Sequence, residues 1–174
     1  MGFPGCCTAL VQTGAEMTPL QHTRLILDEA EMTALAARLA ARVVPPMVIY
    51  LHGDLGAGKT TFARAFIQSL GYEGRVKSPT YGLLERYPTA SAELVHLDLY
   101  RIQEPGELEF LGLDDLQTPL SIFLVEWPSQ GTGFLPKPDL EIRFGHKKAV
   151  RELEFVSNRS EIAKLCADLA KNIE

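Results

Sequence analysis

Gly53-Asp54-Leu55-Gly56-Ala57-Gly58-Lys59-Thr60 spells G-x-x-x-x-G-K-T, a spacing whose chemistry is the binding of phosphate. Glycines at 53, 56 and 58 let the backbone curl until successive N–H groups converge on one anion. Asp54, Leu55 and Ala57 complete the loop, and Thr60 and Thr61 open the helix that follows. That helix adds its N-terminal N–H groups and dipole to the same spot. Lys59 is placed to reach the β- and γ-phosphates, and the Thr60 hydroxyl to ligate Mg²⁺. The apolar run Met47-Val48-Ile49-Tyr50-Leu51 comes just before, so the motif sits between a strand and a helix, as the mechanism requires. The sequence predicts a nucleoside triphosphate site.

Such a site needs an acid at a second strand end to hold the metal or orient the nucleophile. Leu94-Val95-His96-Leu97-Asp98 and Ile122-Phe123-Leu124-Val125-Glu126 are apolar strands that each end in one. Either carboxylate suits Mg²⁺, directly or through water, and either suits polarising the attacking water. In Lys77-Ser78-Pro79-Thr80-Tyr81, Pro79 biases Ser78 to an extended conformation and presents Thr80 on a loop. A threonine there can order the loop when triphosphate is bound; the plainer reading is a turn before a strand. Trp127, the only tryptophan, is either a packed boundary aromatic or a binding anchor beside the site. The four histidines lack metal-ligand spacing, and His52 and His96 read as packing or hydrogen-bonding residues.

The elements that must position these residues follow from period and punctuation. Thr23–Leu27 reads as a short edge strand. Asp28-Glu29-Ala30-Glu31 is a capping box opening a helix with Met32, Leu35, Ala36, Leu39 and Val43 on one face. Pro45-Pro46 ends that helix before the phosphate-loop strand. Gly71 closes the next helix. Tyr81–Tyr87 and Glu93–Leu99 read as strands joined by a turn at Pro88-Thr89-Ala90-Ser91, and Glu107–Leu116 as a short acidic helix. Ser121–Val125 is a strand buried on both faces. Leu140–Phe144 and Arg151–Val156 form a hairpin around Gly145-His146-Lys147-Lys148. Ser157 or Ser160 caps a last helix with Ile162, Leu165, Cys166, Leu169 and Ile173 on its apolar stripe. The predicted fold is α/β: a single phosphate-loop NTPase domain over residues 21–174, with a mixed, mainly parallel central sheet flanked by helices. Residues 1–20 read as a loosely ordered extension.

Composition narrows the function classes. The 174 residues, 46% of them hydrophobic, suffice for one core. A formal net charge of −5 argues against tight, unaided nucleic-acid binding by phosphate neutralisation. Cys6, Cys7 and Cys166 give neither a disulfide framework nor a zinc pattern, which suits a reducing compartment. No signal-peptide pattern or membrane-length apolar run is legible, so the expectation is a soluble cytoplasmic protein.

Gly53 to Thr61, Ser78-Pro79-Thr80-Tyr81, His96-Leu97-Asp98-Leu99-Tyr100-Arg101, Glu109-Phe110-Leu111-Gly112-Leu113 and Val125-Glu126-Trp127-Pro128 occur in that order. The ordered set resembles the bacterial TsaE family, the small ATPase of tRNA threonylcarbamoyladenosine biosynthesis, over about Thr23 to Phe155. Tyr81 stands where that family often has phenylalanine. The resemblance implies ATP hydrolysis in support of threonylcarbamoyl transfer to adenosine 37 of tRNAs reading ANN codons. It implies docking on a TsaB–TsaD heterodimer, contact with tRNA only through that complex, and no membrane or DNA partner. It makes Lys59 and Thr60 the grip on phosphate and Mg²⁺, Thr80 the switch threonine, and Asp98 and Glu126 the metal and water acids, with Trp127 close by. Which acid serves as base stays open.

Two rivals remain. A small-molecule kinase would close an arginine-bearing lid over the phosphates, yet no Lys or Arg lies between Arg101 and Lys137. A GTPase would need an Asn-Lys-x-Asp guanine reader, and Asn158 and Asn172 are not in that setting.

Overall fold

In the computed structural model, residues 21–147 and 150–171 are described. The expectations for residues 1–20, Lys148 and Ile173 lie outside them. Strand β1 (Gln21–Leu27) leads into helix α1 (Glu29–Ala40). Both halves of the predicted capping box form: the Asp28 carboxylate accepts from the Glu31 amide at 2.8 Å, and the Glu31 carboxylate accepts from the Asp28 amide at 2.7 Å. Such a cap contributes about 1 kcal/mol and fixes where the helix starts. Met32, Leu35, Ala36 and Leu39 are buried as a stripe; Val43, assigned to the same face, lies past the helix end and packs half-buried on the same core.

Strand β2 (Met47–Gly53) then enters the glycine loop, which feeds helix α2 (Lys59–Ser69). Strands β3 (Leu84–Pro88) and β4 (Glu93–Asp98) pair antiparallel across a short turn, as do β6 (Leu140–Lys147) and β7 (Val150–Ser157). Between them runs β5 (Ser121–Glu126), every residue of which is buried. Helix α4 (Ser160–Lys171) closes the described chain; of the two candidate serines, Ser160 is its first residue, while the Ser157 hydroxyl donates to the Asp139 carbonyl at 2.7 Å.

All seven strands form one sheet in the order β1-β7-β6-β2-β5-β4-β3. β2 pairs parallel with both β5 and β6, and β5 parallel with β4, so β1, β2, β4, β5 and β6 run one way and β3 and β7 the other. One face carries α1, α2 and α4 over a core that includes Phe62, Phe66, Ile49, Leu51 and Leu124. The other face buries Val95, Leu97, Phe123 and Val125 under the segment that carries Leu108 and Leu113. Because side chains alternate along β4 and β5, His96, Asp98, Leu124 and Glu126 all fall on the α1–α2 face.

Two predicted elements differ. Strand β3 starts at Leu84 rather than Tyr81, because Leu83 adopts a left-handed backbone (φ 62°) and ends the ladder there. The acidic helix expected over Glu107–Leu116 is split. Pro105–Leu111 is a 3₁₀ helix, Gly112 turns left-handed at φ 60°, and α3 is the single turn Leu113–Leu116. Gly112 interrupts the helical path that the acidic pattern alone suggests.

Candidate functional site

The loop conformation follows from neighbours as much as from phosphate. Gly53 has φ 139°, and a Cβ there would lie 2.5 Å from the carbonyl oxygen of Phe144, its partner on β6. Gly58, the N-cap of α2, has φ 108° and makes no side-chain capping bond. The first turn of α2 also contains no acid, whereas α1 fills its own N-terminus with Asp28 and Glu31. The start of α2 thus carries no internal side-chain cap, the condition under which a helix N-terminus can receive an anion.

Register brings in the two acids. β5 lies between β2 and β4, and Asp98 is the direct partner of Glu126. Leu51, just before the loop, also pairs with Glu126. Both carboxylates therefore stand at the C-terminal edge of the parallel strands, where ligands of open α/β sheets bind. Each is nearly buried and engaged. The Thr60 hydroxyl donates to Glu126 Oε2 at 2.8 Å, and the Thr80 hydroxyl donates to Asp98 Oδ2 at 2.5 Å. Ser78 Oγ lies 3.2 Å from the same Asp98 oxygen and 2.7 Å from Thr80 Oγ1. The Tyr100 amide donates to Asp98 Oδ1 at 3.2 Å.

Lys59 is 4% exposed. Its Nζ donates to the carbonyls of Gly53 (2.6 Å) and Asp54 (2.8 Å) and sits 4.1 Å from the centroid of the Trp127 ring. Burial pushes its ammonium below the ordinary lysine value, opposed by the carboxylates of Glu126, Asp98 and Asp54. Trp127 holds a left-handed backbone (φ 57°) that turns the chain after β5 and sets its ring 5.0 Å from that of Tyr100. The indole is partly buried against the second core, as the boundary-aromatic reading expects, and also lines the site.

These groups surround a cavity of about 330 Å³. The structure gathers Leu55, Gly56, Gly58, Lys59, Thr60 and Thr61 on one wall. Thr80, Asp98, Glu126 and Trp127 form the other. Two predicted loop positions do not line it: Asp54 is exposed, and Ala57 is turned into the core at 2% exposure. Ser78 and Tyr100 also line it, positions for which the sequence predicts no role. The signal for Ser78 was its place beside Thr80 on the proline-ordered loop; for Tyr100 it was its place two residues after Asp98. His96 escaped as a site residue too. Its Nε2 lies 2.9 Å from Glu126 Oε1, and the available signal was the period of two that puts it on the Asp98 face.

The donor set fits a magnesium–triphosphate unit. Among the described residues no cluster of three or more His, Cys, Asp or Glu side chains has the arrangement of a metal cage. Mg²⁺ seldom uses one, taking a hydroxyl or carboxylate, substrate phosphates and water instead.

A parallel-cored α/β sheet with a strand–glycine loop–helix and two acids on adjoining strand ends defines a phosphate-loop protein. Comparison with known proteins narrows the class. The family profile described as "Threonylcarbamoyl adenosine biosynthesis protein TsaE" matches residues 26–153. A protein of Haemophilus influenzae bearing the name tRNA threonylcarbamoyladenosine biosynthesis protein TsaE is 38% identical over 87% of this chain and 94% of its own length. Its namesake in Bacillus subtilis is 37% identical over 84% of this chain and 92% of its own. The crystal structure of Bacillus subtilis YdiB superposes with a TM-score of 0.72 at 29% identity, covering 90% of this chain and 99% of that one. The chain belongs to the TsaE family.

Proposed function

We propose that the cavity binds ATP with Mg²⁺, and that its hydrolysis there supports formation of threonylcarbamoyladenosine in tRNA. The observation that carries this reading is the convergence of Lys59, the uncapped start of α2 and the Thr60–Glu126 bond on one cavity. Names of relatives at 38% and 37% identity place those proteins in tRNA threonylcarbamoyladenosine biosynthesis, and shared family supports the same role here. The partner implied is the TsaB–TsaD heterodimer, which would own the transfer chemistry and the contact with tRNA.

Charge explains why a metal belongs in the reading. The cavity lining holds one ammonium, Lys59, against two carboxylates, Asp98 and Glu126. A triphosphate brought to that set is repelled by both acids, and like charges at about 4 Å cost several kcal/mol even with protein screening. Mg²⁺, held by the Thr60 hydroxyl and the neighbouring carboxylates, would supply positive charge and Lewis-acid chemistry there. Loop amides and Lys59 orient the phosphates. Thr60 with Glu126 forms the metal corner. Asp98, flanked by Thr80 and Ser78, is placed to accept a proton from an attacking water and to move with the Thr80 loop.

The kinase alternative fares worse. The cation-free stretch after Arg101 is pinned to the sheet through Leu108 and Leu113, 1% and 5% exposed, rather than standing over the cavity as a lid.

Calorimetry of ATP with Mg²⁺ tests the site. Lys59→Ala and Thr60→Ala should each weaken binding at least tenfold, since a charge-assisted contact is worth roughly 1.5–3 kcal/mol. Wild-type affinity in both variants would remove the phosphate loop from the mechanism.

A further inference from the structure

His96 has no exposed surface, yet only half of its ring is used. Nε2 lies 2.9 Å from Glu126 Oε1, while Nδ1 is buried with no hydrogen-bond partner. A leucine on β4 would fill such a position without orphaning a nitrogen, so the ring is there for the bond it makes. An ionised carboxylate only accepts, so His96 makes that contact as a donor from Nε2, and Nδ1 makes none.

The bond has a consequence two atoms further on. The terminal torsion of a glutamate is soft, and one donor would leave its carboxyl plane free to rock. Here His96 holds Oε1 and Thr60 Oγ1 donates to Oε2 at 2.8 Å, so both oxygens are fixed. With its proton committed to Glu126, the Thr60 hydroxyl has only lone pairs left to turn elsewhere, and it lines the cavity. Glu126 itself is 2% exposed, so solvent offers little competing hydrogen bonding.

We propose that His96 is a positioning residue: donating from Nε2, it pins Glu126, which in turn aims the Thr60 lone pairs at the cation accompanying the nucleotide. The proposal rests on the reading of the cavity as a magnesium–nucleotide site. His96 touches neither phosphate nor metal. It acts through Glu126, as outer-shell partners of metal ligands do.

Two measurements test it. Long-range ¹H–¹⁵N NMR of the full chain should show a proton on Nε2; an Nε2 without a proton would make Glu126 the donor and overturn the proposal. The second measurement follows ATP binding through Trp127, the single tryptophan, over a Mg²⁺ titration. His96→Leu should raise the half-saturating Mg²⁺ concentration about tenfold, the lower end of what outer-shell losses produce, with Mg²⁺-free ATP binding unchanged. His96→Gln should restore most of the response, because its amide N–H donates from near the Nε2 position. A His96→Leu variant with wild-type Mg²⁺ dependence sinks the proposal, as does a Gln variant no better than Leu. Should His96→Leu fail to fold, the Gln variant and the NMR signal still decide. If the wild-type chain binds ATP without regard to Mg²⁺, it is the magnesium–nucleotide reading that fails, while the Nε2 proton remains measurable.

Discussion

Lys59 is the one cation among the residues lining the cavity, and its environment works against its charge. Burial lowers its pKa from the ordinary 10.5, more than the nearby carboxylates raise it. The sign of the resulting linkage is fixed. Phosphates beside Lys59 favour the ammonium, so once the pH exceeds the lowered value, binding must take up a proton. ATP affinity should therefore fall as pH rises above that lowered value, with proton uptake visible as buffer-dependent binding heats. Proton release, or affinity unchanged across this window, would show that Lys59 does not meet the phosphates. The two acids separate by what each holds. Asp98→Ala frees Thr80 and Ser78, which reach solvent on their loop, so stability should change little. Glu126→Ala strands the Nε2 of fully buried His96 and should cost roughly 1–3 kcal/mol in denaturant unfolding. Both variants should keep appreciable nucleotide affinity through the loop and Lys59, yet lose turnover. Parent-like hydrolysis by both, with partners present, would refute the assignment of the acids.

Among the elements, the loop between β2 and α2 is the least replaceable. Gly53→Ala should destabilise the fold by about 1–3 kcal/mol or more, since the new Cβ meets the Phe144 carbonyl at 2.5 Å on a backbone at φ 139° that side chains rarely adopt. Denaturant unfolding checks this, and a Gly56→Ala control, which adds a Cβ into open space at φ 79°, should show only the conformational strain. Equal losses in the two would mean that the approach of β6 does not matter. The contrast shows what local pattern carries. The G-x-x-x-x-G-K-T spacing identifies the loop, and Asp28 with Glu31 marks the start of α1, because both signals lie within a few residues. Asp98 and Glu126 are legible only as acids ending two apolar strands. That they are direct neighbours is a matter of register between strands 28 positions apart in the β4–β5 ladder, which no local period encodes. The reading of His96 as a packing or hydrogen-bonding residue holds, but its partner is set by the same register: His96 pairs with Leu124 and reaches Glu126 two residues further along β5. The late start of β3 and the break at Gly112 depend on left-handed backbone at Leu83 and Gly112; glycine takes that conformation readily, but nothing in the type of Leu83 announces it.

At the scale of the whole molecule, the proposed triphosphate site calls for a partner to use the energy of hydrolysis. Net charge is −5, and the described chain has no helix long and apolar enough to cross a membrane. Exposed apolar side chains stand beside the cavity. Leu55 on the loop is 73% exposed, and Tyr81, next to Thr80, is 85% exposed with Arg101 stacked 4.3 Å from its ring centroid. Exposed aromatic and aliphatic side chains beside a site suit capture by another protein. Thr80 is the natural coupler, because it bonds Asp98 inside the cavity while its neighbour Tyr81 faces out. The expectation is slow ATP hydrolysis by the chain alone and faster hydrolysis on adding TsaB–TsaD. Thr80→Ala and Trp127→Ala should blunt that response, the first by uncoupling the loop and the second by removing the ring that faces Lys59. Tyr81→Ser should weaken docking without changing ATP affinity in the isolated chain. Linkage then fixes a quantitative check: whatever factor the heterodimer adds to ATP affinity, ATP must add to affinity for the heterodimer. Steady-state ATPase assays with and without the heterodimer, beside docking titrations with and without Mg²⁺–ATP, decide the matter. Partner-independent phosphorylation of a small metabolite at high rate would instead make the chain a kinase.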